Sequence, residues 1–277
     1  MKAFRFAPRS FAFLCGAFLA AGLSACAGHA GREADLASAS ARADLGDFTV
    51  FAVAAEPETG LLQPALLYKN RDISPAQEPV RDITPGPKVA DFPLPGCESM
   101  KVEMFTGGAN CCFGYYLLAS CPDGEHAAYV EPRNGGVGEA RTEMKAYAVD
   151  DPAFFYYEPK NQSGADKLSL SRVESPRLTR FLVFDNGEWR ADKAGEFPAA
   201  YKALLADVRR DKTMNRTARA VSMAYYALMA GRKEAEASRI LKRALPGQYG
   251  SLAPEVFNDV KAAVAGFDPA RTLTVAN

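Results

Sequence analysis

The sequence predicts an α+β protein: an antiparallel β-meander of seven or more short strands, stapled by a disulfide, followed by a four-helix C-terminal region. Three observations carry this. Between Phe48 and Trp189, short apolar or alternating runs are punctuated by Gly, Pro, Asn and Asp. After Phe197 the apolar positions recur at the spacing of an amphipathic helix. Cys97 and Cys121 stand where a hairpin register brings them face to face.

Taken in order, Phe48 to Ala54 and Leu61 to Tyr68 read as strands, and Pro64 makes the second an edge strand or an interrupted one. The proline-dense stretch Ile73 to Pro95 reads as an extended wrap. Ser99 to Phe105 alternates Met100, Val102 and Met104 with Lys101 and Glu103, the period of a strand with one buried face. Phe113 to Ala119 is nearly all apolar and reads as a central strand. Pro122-Asp123-Gly124 turns the chain into Ala127 to Val130, and Gly135 to Gly138 reads as a loop. Further strands are predicted at Thr142 to Val149, Ala153 to Tyr157 and Arg180 to Phe184, the last entering an Asn186-Gly187 turn closed by Trp189. Four helices follow, with Pro198 opening the first, which runs to about Arg210. The others are Arg216 to Ala230 stopped by Gly231, Lys233 to Leu245 ended by Pro246, and Pro254 to Ala265 ended by Gly266.

The cysteines discriminate between registers. If Ser99–Phe105 and Phe113–Ala119 form a hairpin centred on Ala109, Cys97 faces Cys121, while Met100 and Val102 face Leu118 and Tyr116. At about 3.3 Å per residue, Cys112 stands nearly ~30 Å from Cys121 along a straight strand, far beyond the reach of a disulfide. A Cys97–Cys121 bridge closes a loop worth roughly 3.5 kcal/mol in chain entropy. Cys111 and Cys112 are left to each other, either as a strained bridge between neighbours or as two thiols that stay reduced. The tip from Gly107 to Phe113, with Gly108 and Asn110, is the candidate binding surface.

The chain opens with Lys2, Arg5 and Arg9, then an apolar run from Phe11 to Leu23 that is too short to span a bilayer as an ordinary helix. Leu23-Ser24-Ala25-Cys26 follows and resembles the lipobox of bacterial lipoprotein precursors. That resemblance implies a signal peptide over residues 1–25, with Cys26 acylated by palmitate-type chains at the mature N-terminus. Two or three such chains anchor a protein stably in a bilayer. Ala27 after the cysteine implies, by analogy with lipoprotein sorting, the outer membrane and a periplasm-facing protein. Separately, Gly107-Gly108-Ala109-Asn110-Cys111-Cys112 resembles a GGAxCC signature of an uncharacterised exported bacterial family. The expected organisation continues with a flexible tether over 26–46, rich in Ala, Gly and Ser, then a β domain over 47–195 and a helical region over 196–277.

Composition and motifs narrow the function classes. The chain holds 33 Lys and Arg against 33 Asp and Glu, and loss of the three leader cations leaves it slightly acidic, without a nucleic-acid footprint. It has only 2 histidines, His29 in the tether and His126 after the Pro-Asp-Gly turn, where an exposed polar residue is expected. No nucleophile elbow, HExxH, CxxC, Walker or GxGxxG context is present, so no catalytic residue, metal ligand or cofactor is assigned. The basic stretch from Arg209 to Arg219 reads as a solvated helix face. Phe154 to Tyr157 reads as core strand rather than a sugar platform. The expected role is binding or envelope assembly, with the bilayer, an envelope protein or a cell-wall polymer as partner and no nucleic acid. Two alternatives stand beside it. One is an envelope hydrolase drawing paired carboxylates from Glu103, Glu131, Glu143, Asp150 and Asp151. The other is a thiol redox sensor at Cys111 and Cys112.

Overall fold

Apolar residues alternate along most strands, so each sheet has a face to bury, and the chain meets this demand by stacking three sheets and a helical layer. In this computed structural model the described residues are 39, 41–56, 58–107, 113–131, 135–160, 162 and 167–275. From Ala39 onward the chain belongs to one compact unit. The expected signal peptide over residues 1–25 and Cys26 lie outside the described residues.

The first sheet has the order β1 (Ala41–Leu45), β2 (Phe48–Glu56), β3 (Leu61–Tyr68) and β4 (Arg71–Asp72). The central sheet has the order β13 (Ala270–Leu273), β8 (Gly124–Val130), β7 (Phe113–Cys121), β6 (Glu98–Phe105) and β5 (Asp82–Ala90). The third has the order β12 (Glu188–Ala191), β11 (Leu178–Asp185), β10 (Ala146–Asp151) and β9 (Val137–Arg141). All these pairings are antiparallel.

The central sheet is apolar on both faces, which is why β7 reads as an unbroken apolar run. Met100, Val102, Met104, Tyr116 and Leu118 meet Phe48, Val50 and Leu66 of the first sheet. Tyr115, Leu117, Ala128 and Val130 meet Tyr147, Leu182 and Trp189 of the third. The third sheet in turn shares a core, through Ala146, Leu178 and Phe181, with α1 (Pro198–Arg210), α2 (Arg216–Met229), α3 (Glu234–Ala244) and α4 (Ala253–Gly266). The α2 helix is apolar nearly all round because it lies inside this core. Its N-terminus is capped by Asn215, whose side chain accepts from the Thr217 and Ala218 amides.

The β6–β7 hairpin has the expected register, with Met100 opposite Leu118 and Val102 opposite Tyr116. The Cys97–Cys121 disulfide closes its base. At Pro64, β3 is locally an edge: β4 covers only Leu67 and Tyr68, and the Pro64 carbonyl accepts from the Gln77 side chain at 3.2 Å.

Five expectations need correction. The stretch expected as tether ends in β1, where Ala41, Ala43 and Leu45 turn inward and pair with β2; small side chains conceal this alternation in the sequence. The proline-rich wrap contains β5, which tolerates Pro85 and Pro87 because it is an edge strand with a bulge between Pro85 and Lys88. Thr142 to Met144 is a helical turn, so the predicted strand Thr142 to Val149 starts only at Ala146, as β10, and a separate strand, β9, begins inside the glycine loop. Ala153 to Tyr157 is a turn in which Phe155 N–H reaches Pro152 O at 2.9 Å, and only Phe154 and Tyr157 enter the core. The region expected to be wholly helical ends in β13, paired with β8.

Candidate functional site

Directly opposed residues of antiparallel strands share a face, and Glu103 of β6 is opposite Tyr115 of β7 on the side turned to the third sheet. There they form part of a cleft of about 830 Å³, between the open end of the β6–β7 hairpin and the β9–β10 pair. Phe113 supplies an aromatic wall, packed on Phe105 at 5.1 Å and stacked on Tyr115 at 6.3 Å between ring centroids.

The two sheets are held in position by polar contacts between them. Lys101 Nζ donates to the carbonyls of Val137 at 2.8 Å and Gly138 at 3.2 Å, and pairs with Glu139 at 3.2 Å. Gly135 lies so close to β10 that a Cβ there would come within 2.6 Å of the Asp150 Cβ. This approach lets the Gly136 N–H donate to Asp150 Oδ2 at 3.2 Å, while Asp150 N–H donates to Gly136 O at 2.9 Å.

Charge in the cleft is mixed. Burial raises the Asp150 carboxyl above the usual aspartate range, against the opposing pull of the Gly136 amide and the Arg177 charge. Burial likewise raises the Tyr115 hydroxyl, and the Glu103 and Asp150 charges add to the effect. Arg141, Arg172 and Arg177 line the same cleft. Arg141 lies over the Phe181 ring at 5.8 Å. Among the described residues none of the three arginines forms an ion pair, and Arg172 Nη1 is buried without a hydrogen-bond partner.

The sequence-predicted residues separate accordingly. Phe113 is in the cleft wall. Gly107 takes φ +95°, and a Cβ there would run into the Arg81 side chain, so glycine is required. Gly108, Asn110, Cys111 and Cys112 lie outside the described residues, and with them the sulfurs of the redox-sensor alternative. Among the candidate acids, Glu103 and Asp150 share the cleft. Glu131 and Asp151 share a second cavity of about 490 Å³ near Phe155 and Phe267. There Asp151 accepts from Tyr225 Oη at 2.5 Å and from the Ala153 amide at 2.9 Å. Glu143, exposed in its helical turn, lines neither cavity.

His126, expected to be exposed, is largely buried, with its ring edge-on to Phe184 at 5.0 Å. The three cleft arginines were not anticipated, because nothing in their local sequence distinguishes them from solvated cations. No family model, curated protein or solved structure matches the chain.

Proposed function

We propose that the chain is a binding module whose β6–β7 cleft captures a small anionic ligand bearing a flat or apolar portion. The observation that supports this is the set of three arginines, Arg141, Arg172 and Arg177, which line the cleft beside the Phe113–Tyr115 stack and, among the described residues, form no ion pair. Guanidinium forks favour carboxylate and phosphate oxygens, and an aromatic stack favours a planar group. The cleft volume of about 830 Å³ falls in the range of small-ligand sites.

The same reading has the protein act from a membrane surface. Cys26 carries the acyl chains and the folded part faces the periplasm, where envelope proteins and cell-wall polymers carry anionic groups. The support for this address is the Leu23-Ser24-Ala25-Cys26 segment behind its apolar run. Mass spectrometry of the N-terminal peptide from membrane-isolated protein tests it: a diacylglyceryl-modified Cys26 is expected, and an unmodified N-terminus beyond Cys26 would reject it.

Calorimetric titration with a panel of aromatic carboxylates and phosphate esters tests the cleft. Saturable binding is expected, weakened at least tenfold in Arg172→Ala/Arg177→Ala and weakened by added salt. Absence of saturable binding across the panel, or binding indifferent to both substitutions, would reject it.

A second reading, hydrolysis by paired carboxylates, is favoured by one observation. Glu103 and Asp150 line one cleft, and burial raises Asp150 so that it retains a proton more readily than an exposed acid. On this reading Asp150 is the general acid and Glu103 the second carboxyl group. Turnover of chromogenic glycosides that disappears in both Asp150→Asn and Glu103→Gln supports it, whereas unchanged turnover in either variant rules it out.

A further inference from the structure

At the other end of the β6–β7 hairpin from the cleft, donors of three chemical kinds converge. Cys121 ends β7, Asp123 sits in the following turn and His126 lies on β8; one sulfur, one carboxylate oxygen and one imidazole nitrogen lie within 4.8 Å of one another. The register explains the convergence. Cys121 is opposite Gly124 and His126 is opposite Ala119, so the two side chains point to the same face two positions apart. The disulfide adds a fourth donor, because Cys97 Sγ is bonded to Cys121 Sγ.

The imidazole is already oriented. Its edge packs on Phe184, and a Cβ on Gly187, where φ is +84°, would come within 3.1 Å of its Cε1. Its Nε2 faces Asp123 Oδ1 at 3.5 Å and, among the described residues, is buried without a hydrogen-bond partner. Buried imidazole nitrogens normally have a partner, so this one lacks an occupant for its lone pair or its proton.

We propose that reduction of the Cys97–Cys121 disulfide turns this cluster into a Zn²⁺ site with the ligands Cys97 Sγ, Cys121 Sγ, His126 Nε2 and one Asp123 carboxylate oxygen. Two thiol equivalents from a small thiol or dithiol reduce the bond: two S–H groups form on the protein and the donor leaves as its own disulfide. The thiolate attacks at Cys121, which is partly exposed where Cys97 is buried, and a second thiol resolves the mixed disulfide. Zn²⁺ then displaces the two thiol protons, giving four bonds and releasing two H⁺ to solvent.

For three of the four donors the geometry needs little movement. Tetrahedral zinc holds sulfur at about 2.3 Å and nitrogen or oxygen at about 2.0–2.2 Å, so its donors stand roughly 3.3–3.8 Å apart. The disulfide must open, and the Cys121, Asp123 and His126 donors draw in from separations of at most 4.8 Å. In the oxidised protein neither sulfur is a thiolate and the site does not exist. The hairpin base thus exchanges one cross-link for another according to thiol redox state. This inference uses no residue of the cleft and stands independently of the ligand proposed there.

The test uses the full chain with Cys15→Ser, Cys26→Ser, Cys111→Ser and Cys112→Ser, reduced by a phosphine and titrated anaerobically with Co²⁺ as a spectroscopic substitute for zinc. One equivalent is expected to bind with the visible bands and sulfur-to-metal charge transfer of a tetrahedral thiolate site, and Zn²⁺ is expected to bleach them. His126→Ala is expected to weaken binding at least tenfold and Asp123→Ala severalfold, while the oxidised chain gives no such spectrum. Circular dichroism follows the fold throughout. If reduction alone unfolds the chain, Zn²⁺ is expected to restore the spectrum in the parent and not in His126→Ala. Three results overturn the proposal: no Co²⁺ spectrum in the reduced parent, equal affinity in His126→Ala, or no restoration of a fold lost on reduction.

Discussion

Arg180 and Asp192 form an ion pair at 2.8 Å with 2 % and 0 % of their side chains exposed. The pair is the centre of a buried network. Arg180 Nη1 donates to Tyr225 Oη and the Val264 carbonyl, both at 3.2 Å, and Tyr225 donates in turn to Asp151. Tyr201 donates to the second oxygen of Asp192. One guanidinium therefore links β10, β11, α1, α2 and α4 to the segment after β12. A buried cation with this many partners stabilises chiefly by satisfying them, so its removal costs more than the pair contributes.

Replacing Arg180 by Ala leaves Asp151 and Asp192 buried without their cation. The expected loss is about 3–5 kcal/mol of unfolding free energy, read as a lower urea midpoint. A loss under ~1 kcal/mol would mean that water reaches the network.

The same two carboxyls give a pH dependence. Burial raises Asp151 and Asp192 above their ordinary value of 3.8, although Arg180 and the tyrosine hydrogen bonds oppose it. Between 3.8 and each folded value, the folded chain holds a proton that the unfolded chain has released. Their contribution is complete below that window and declines as pH rises through it. Wild-type urea midpoints should therefore carry a downward slope with pH that is reduced in Asp151→Asn; an unchanged slope contradicts the assignment.

Replacing Cys97 and Cys121 with serine frees a loop with a sequence separation of 24. The chain-entropy estimate is a loss of roughly 3.5 kcal/mol. The central sheet should persist in the variant, because Met100, Val102, Leu117 and Leu118 are still buried against both neighbouring sheets. Amide exchange along β6 and β7 checks this: protection lost over the whole hairpin would show that the disulfide sets the register.

Gly135→Ala places a Cβ against the Asp150 Cβ and carbonyl. Relief requires the segment entering β9 to move off β10, at a cost of about 1–3 kcal/mol. Ligand binding in the cleft should fall with it, whereas the same change at Gly247, where a Cβ meets nothing within 4 Å, should leave binding intact. Equal effects at both positions would argue against the close approach.

What could be read from the sequence follows from which interactions are local. The β6–β7 register was legible because Met100, Val102 and Met104 alternate and because Cys97 and Cys121 fit the same pairing. The helices were legible from their spacing and stops. By contrast, β1 is Ala41 to Leu45, and two of its three inward side chains, Ala41 and Ala43, are too small to register as a pattern. Phe154 to Tyr157 has strand composition, yet Pro152 starts a turn and Tyr156 takes φ +55°. Glu103 and Asp150 were recognisable as candidate acids, but their shared cleft depends on two sheets packing together, which no local pattern encodes. The His126 cluster was hidden for a similar reason: both of its sulfurs are spent in a disulfide, and its donors follow no metal-motif spacing.

Ala270 pairs with Val130 and Leu273 with Ala127, so the central sheet gains its last strand only after all four helices have been made. On a chain emerging from the ribosome, the β8 edge is bare throughout synthesis of α1 to α4. Its unpaired amides and carbonyls are then a template for any extended segment that arrives first. Closure also waits on the helices that carry Ala270 back, a long-range contact of the kind that slows folding. Arg271 and Thr272 stay exposed on the finished strand, and the arginine places a charge on the edge that β13 itself presents.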